Sequence, residues 1–180
     1  RANPQALYLC DPVLGDAGQL YVREGVEAGM RERLLPLADL ITPNHFELER
    51  LCDCPVATLE QALAAARSLI ARGPKLVFVT SLRREGAAPD TIETLAVTTD
   101  GAWLAATPKI EWVPQGTGDL FGALLLGHLV HGAAPANALA RAVSAVDVVL
   151  QASRGHREMR LIATVAQLRS PPPLSVRRVG

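Results

Sequence analysis

A chain of 180 residues that is 49% hydrophobic has the length and apolar content for one domain with a buried core. Its 18 basic and 18 acidic side chains give zero formal net charge, and Lys and Arg are scattered apart from Arg83-Arg84 and Arg177-Arg178, so no basic face argues for nucleic acid. The apolar stretches are interrupted well short of the roughly 18 residues of a membrane span, and three cysteines are too few and too odd for a disulfide framework.

Taken in order, Ala6-Leu7-Tyr8-Leu9-Cys10 is a short apolar run ending at Asp11-Pro12 and predicts a buried strand. Residues 13–22 predict a loop. Residues 24–35 predict a helix that stops at Pro36, and Leu37 to Thr42 a second strand halted by Pro43. A short helix is expected over 45–52. Thr58-Leu59-Glu60-Gln61 has capping-box spacing and opens an Ala-rich helix to Arg72, closed by Gly73-Pro74. Lys75 to Thr80 is too apolar for an edge and predicts a third strand. Residues 83–91 predict a mobile loop. Residues 92–99 and 102–106 flank Asp100-Gly101 and predict a hairpin. Helices follow over 117–131, from Pro135 at a first helical position to 153, and over 156–169. The tail from Ser170 is expected to be extended or loose.

Strands alternating with helices imply a parallel α/β sheet, in which ligands bind beyond the carboxyl ends of the strands. Asp11, Thr42 and Thr80 each stand at such an end. Gly116-Thr117-Gly118-Asp119 is a Gly-x-Gly turn opening onto an apolar helical run. Free backbone N–H groups at the positive end of a helix suit a phosphate. Asp119 is then either the base that accepts a proton from an acceptor hydroxyl or only a carboxylate stabilising the helix dipole. Gly116, Thr117 and Gly118 are either phosphate donors or an ordinary turn. Asp11 and Asp16 either attract cations or cap turns, and Glu47 either holds magnesium, directly or through water, or is a solvated charge. Arg83, Arg84 and the loop to Asp90 either cover a nucleotide or are plainly solvated. His45 reads as a surface or supporting group, and His128, His131 and His156 as structural or exposed. Cys52-x-Cys54 near His45 has the wrong spacing for zinc, so Cys10, Cys52 and Cys54 are expected to be buried thiols. No secretory leader is read at Arg1-Ala2-Asn3-Pro4, and a reducing cytoplasm is the expected compartment.

The segments Asp11-Pro12-Val13-Leu14-Gly15-Asp16, Leu20-Tyr21-Val22, Leu37 through Glu47, Val79-Thr80-Ser81 and Gly116-Thr117-Gly118-Asp119-Leu120-Phe121 occur in that order. Together they resemble the pyridoxal kinases, in the vitamin-kinase branch of the ribokinase-like superfamily, over about residues 6–150. The related hydroxymethylpyrimidine kinases look similar but usually carry a cysteine where Asp119 stands.

The resemblance implies a three-layer α/β/α sandwich, with a mostly parallel sheet and an added hairpin. Residues 1–169 would be the C-terminal part of a single kinase domain and 170–180 a Pro-rich tail. Family members are longer at the front, so the fold is expected to be incomplete at the N-terminus. The strand at 6–10 would then present an unpaired apolar edge that invites self-association, and the isolated chain is expected to be inactive. The implied reaction is ATP-dependent phosphorylation of the 5′-hydroxyl of pyridoxal, and to some degree of pyridoxine and pyridoxamine. By position, Asp119 resembles the catalytic base, with Thr117 and Gly118 in the anion hole. Asp11, Asn44, Glu47, Thr80 and Ser81 resemble nucleotide or Mg²⁺ contacts. Asp16 and Thr42 resemble residues that hold a monovalent cation, K⁺ or Na⁺. Thr107-Pro108-Lys109-Ile110 falls where the family lines the adenine and ribose pocket. A homodimer is implied for the intact enzyme. Two alternatives remain: a hydroxymethylpyrimidine or other small-molecule kinase, and a non-catalytic nucleotide-binding fragment.

Overall fold

A computed structural model describes Asn3 and residues 5–180. Arg1, Ala2 and Pro4, at the head of the domain expected over 1–169, lie outside the described residues. The first apolar run forms β1 (Leu9–Cys10), which is followed by a small ribbon, β2 (Gly15–Asp16) and β3 (Gln19–Leu20). A helical stretch comes next: one turn of α1 (Val26–Gly29), a π turn over Met30–Leu34 and a 3₁₀ turn over Leu35–Leu37. Then come β4 (Leu40–Ile41), α2 (His45–Cys52), α3 (Leu59–Ile70), β5 (Leu76–Leu82) and the hairpin β6 (Thr91–Val97) and β7 (Ala102–Pro108). Two long helices, α4 (Thr117–Val130) and α5 (Pro135–Ala152), are followed by the short α6 (Val165–Arg169) and β8 (Arg177–Arg178).

The main sheet has the order β1-β4-β5-β6-β7-β8. β1, β4 and β5 pair in parallel, and the β5–β6, β6–β7 and β7–β8 pairs are antiparallel. Two reversals turn β7 back to the sense of β5, so four of the six strands run the same way and end at one edge. Alternation along the strands divides the core. Ile41, Val77, Val79, Leu95, Val97 and Leu104 face α2 and α3, whereas Leu40, Phe78, Ala96 and Ala105 face α4 and α5. The result is the expected α/β/α sandwich, with helices on both sheet faces.

Both capping boxes at the helix starts are formed. Thr58 and Gln61 close that of α3, and Asn44 and Glu47 that of α2, which the sequence reading did not identify. Three expectations need correction. The loop at 13–22 contains the β2–β3 ribbon, whose two-residue turn has positive φ at Ala17 (49°) and Gly18 (84°), as a hairpin of this hand needs. The helix expected at 24–35 is broken into three kinds of turn, and Pro36 lies within the last of them rather than ending it. The helix expected at 156–169 is reduced to a 3₁₀ turn and α6. There the Ser153 hydroxyl accepts the Arg160 N–H at 3.0 Å, which draws residues 156–160 into a loop. Of the two states expected for the tail, the extended one is found: β8 pairs with β7, Val179 and Gly180 exchange hydrogen bonds with Ala102, and Ser144 donates to the Pro172 carbonyl.

Candidate active site

The strand ends gather at one edge of the sheet, and α4 begins there. Gly116 caps α4 in the left-handed region at φ 86°, and no side chain accepts the first N–H groups of the helix. The left-handed conformation calls for glycine, and a Cβ there would also press on Met159 Cε at 3.1 Å, the end of a flexible side chain. Thr117 donates its hydroxyl to the Pro114 carbonyl at 2.8 Å and fixes the turn. Gly118 is different. It has no positive φ, and a Cβ there would meet nothing closer than 3.8 Å, from Asp11 Oδ2.

That distance places the Asp11 carboxylate against the first turn of α4. Asp11 Oδ1 accepts the Thr42 hydroxyl at 3.3 Å. Burial pushes the Asp11 carboxyl above its ordinary range. The Thr42 hydrogen bond opposes this, and the like charge of Asp119 adds to it. Asp11, Thr42, Gly118 and Asp119 therefore form one cluster, with Asp119 exposed.

Glu47 is 3% exposed and ties the neighbouring elements together. Its Oε1 accepts the Leu14 N–H at 2.8 Å and the Gly15 N–H at 3.5 Å, and its Oε2 the Asn44 N–H at 2.8 Å. Asn44 accepts the Glu47 N–H and donates its amide to the Gly15 carbonyl at 2.7 Å. Burial raises the Glu47 carboxyl, and the Asn44 and Leu14 N–H groups oppose that rise. Asp16 is exposed and accepts the Ala17 N–H, while the hydroxyl partner of Thr42 is Asp11.

On the other side, Thr80 bridges to Asn44, and Ser81 sits in a bulge of β5 with φ 51°. β7 ends at the same edge. Thr107 is buried, Ile110 half-buried, and Pro108 and Lys109 exposed, with the Lys109 N–H on the Asp90 carbonyl at 2.7 Å. Beyond them a cleft of about 620 Å³ is lined by Trp112, Val113 and Gln115 on one side and Arg157, Met159 and Leu161 on the other. The sequence reading stopped at Ile110 and missed these residues. A tryptophan two positions later, ahead of the Gly-x-Gly turn, was the available signal.

Among the histidines, His45 is half-buried. Burial lowers its pKa, and its Nδ1 accepts the Arg83 N–H at 3.3 Å. Of the three thiols, Cys10 is buried, Cys52 half-buried and Cys54 exposed, which corrects the expectation of burial for Cys54. No helix among the described residues is long and apolar enough to cross a membrane.

This arrangement can cradle a phosphate on the α4 N–H groups beside two carboxylates. Residues 2–160 match the family model for phosphomethylpyrimidine kinase. The chain belongs to this family. It is 49% identical to pyridoxal kinase PdxY of Rubrobacter xylanophilus, over 99% of this chain and 63% of the relative. It is 42% identical to that of Deinococcus radiodurans, over 95% and 60%. Pyridoxal kinase from Entamoeba histolytica superposes with TM-score 0.87 at 28% identity, covering 99% of this chain and 64% of that one. The Leishmania donovani pyridoxal kinase in complex with ADP and pyridoxamine gives 0.89 at 28%, with the same coverage. The chain thus spans slightly under two thirds of each of these kinases.

Proposed function

We propose that this chain is the nucleotide-holding and base-bearing part of an ATP-dependent kinase for the 5′-hydroxyl of pyridoxal. The observation that carries this is the meeting of Asp11, Thr42 and Asp119 at the uncapped start of α4, in a chain with close pyridoxal kinase relatives. Gly118 supports it. The fold leaves open space there, with nothing nearer than 3.8 Å to a Cβ, so a ligand can approach the backbone closely.

In this reading the N–H groups of Gly116, Thr117 and Gly118 receive the transferring phosphate, and Asp119 accepts the proton of the attacking hydroxyl. Thr80 and Ser81 face the phosphates. Thr107–Ile110, with Trp112 and Met159 beyond, flank the base and ribose. Asp11 suits Mg²⁺, because a cation relieves its repulsion with Asp119. Magnesium there would neutralise phosphate charge. Glu47 has both oxygens on backbone N–H groups and would reach such an ion through water while holding the Leu14–Gly15 segment. Asp16 and Thr42 remain proposed neighbours of a monovalent cation. Cytoplasmic location and a homodimer of the intact enzyme belong to the same proposal.

The test is twofold. Calorimetry should show Mg·ATP binding to the 180-residue chain. In the gene product that carries it, Asp119→Asn should lower kcat for pyridoxal by about 10²–10⁴. Full turnover by the Asn variant refutes the assignment of the base. A second reading, phosphorylation of a hydroxymethylpyrimidine, is favoured by the match of residues 2–160 to the phosphomethylpyrimidine kinase family. Relative turnover of the two substrates separates them.

A further inference from the structure

Arg84 and Glu93 form the most enclosed ion pair among the described residues, with side chains 12% and 8% exposed. It is bidentate: Arg84 Nε donates to Glu93 Oε2 at 2.7 Å and Nη2 to Oε1 at 2.8 Å. A pair this buried is weak evidence of added stability, since desolvation offsets much of the attraction. Its position is more informative.

Glu93 lies near the start of β6, which runs against its neighbours, so it sits at the edge where β5 and β7 end. Across one ladder it stands opposite Leu82, immediately after the Ser81 bulge. Across the other it stands opposite Ala106, next to Thr107. Arg84, two residues past Leu82, folds back onto it and closes the exit of the bulge. The loop that Arg84 opens ends at Asp90, whose carbonyl holds the Lys109 N–H. The same loop is held on its outer side by Glu85 N–H to the Ala57 carbonyl and by Arg83 N–H to His45.

We propose that the Arg84–Glu93 pair is a positioning element for nucleotide binding, setting the Ser81 bulge on one flank and Thr107–Lys109 on the other. This rests on the nucleotide site proposed above. Ser81 at φ 51° is a conformation that a serine keeps only when its surroundings enforce it. The pair supplies that enforcement from the loop side. Without it the chain still folds, but the two flanks must be ordered by the ligand, which weakens binding.

Thermal unfolding and calorimetric titration with Mg·ADP are compared for the 180-residue chain and R84M/E93L, an apolar pair of similar bulk. The expected result is a dissociation constant about tenfold higher in the variant, with a melting temperature within about 5 °C of the parent. R84K keeps the charge without the planar fork and should fall between. An unchanged dissociation constant in folded R84M/E93L overturns the proposal and leaves the nucleotide site standing. Failure of the parent chain to bind Mg·ADP overturns both. Should R84M/E93L not fold, E93Q preserves the shape and carries the same comparison: weaker binding supports the proposal and equal binding overturns it.

Discussion

At the scale of single residues, Gly118 and Asp11 separate the needs of the fold from those of the site. Gly118→Ala places a methyl where the nearest neighbour is 3.8 Å away. Stability should be unchanged or raised by up to about 1 kcal/mol, since alanine suits a helix better. In the gene product that carries this chain, phosphoryl transfer should nonetheless fall about 10²-fold, because a methyl at the proposed phosphate site would displace the phosphate. Denaturant unfolding beside steady-state kinetics checks both halves, and equal loss in the two would point to a structural role. For Asp11 the folded carboxyl titrates above its unfolded value, chiefly through burial. Such a group contributes stability that is fully present below its unfolded pKa and is lost as pH rises through the folded one. Asp11→Asn removes that loss, so its melting temperature should gain on the parent as pH rises through the carboxylate range above about pH 4. A constant difference across that range would contradict the assignment. The placement of the Gly-x-Gly turn and Asp119 at the start of α4 was legible in the sequence because a helix start is marked locally. The double engagement of Glu47 was not, since its partners Leu14 and Gly15 lie more than thirty positions away.

At the scale of elements, the start of α2 is the joint of the site. Its capping box shares a carboxylate with the segment entering the β2–β3 ribbon. Glu47→Ala should therefore cost about 3 kcal/mol, by stranding buried N–H groups of both elements. Urea unfolding measures this, and a loss under about 1 kcal/mol would mean that water replaces the carboxylate. The elements that sequence placed well share a trait: each is long and periodic, or carries its own stop signal. α3 with its Thr58 box, α5 with Pro135, and the Asp100-Gly101 hairpin are of this kind. The misplaced ones are decided by distant partners. The 156–169 stretch looks helical locally, yet Ser153 captures Arg160, and the tail becomes a strand only because β7 offers an edge.

At the scale of the whole molecule, the sheet has two different ends. β8 covers one. The other, among the described residues, is β1, two residues long and paired on one side only. An edge that short offers little template for another chain. β7, by contrast, is seven residues long. Removing Arg177–Gly180 should expose its outer side, lower stability by about 1–2 kcal/mol and promote association visible in light scattering. A monodisperse truncated chain would show that β8 is dispensable. The layer order and the common edge were foreseeable from alternating strands and helices. The hairpin's change of sense was foreseeable too, but the antiparallel pairing of β8 on β7 was not, because it joins a two-residue tail segment to a strand about seventy positions earlier.

The carboxylate of Glu47 also gives the molecule a clock. The amide proton of Leu14 is held by a side chain rather than by a strand or helix ladder. Its exchange with solvent deuterium therefore follows the opening of that one bond, apart from the slow breathing of the sheet. Seen by NMR, a single backbone proton becomes a gauge of how often the β2–β3 ribbon lifts away from α2.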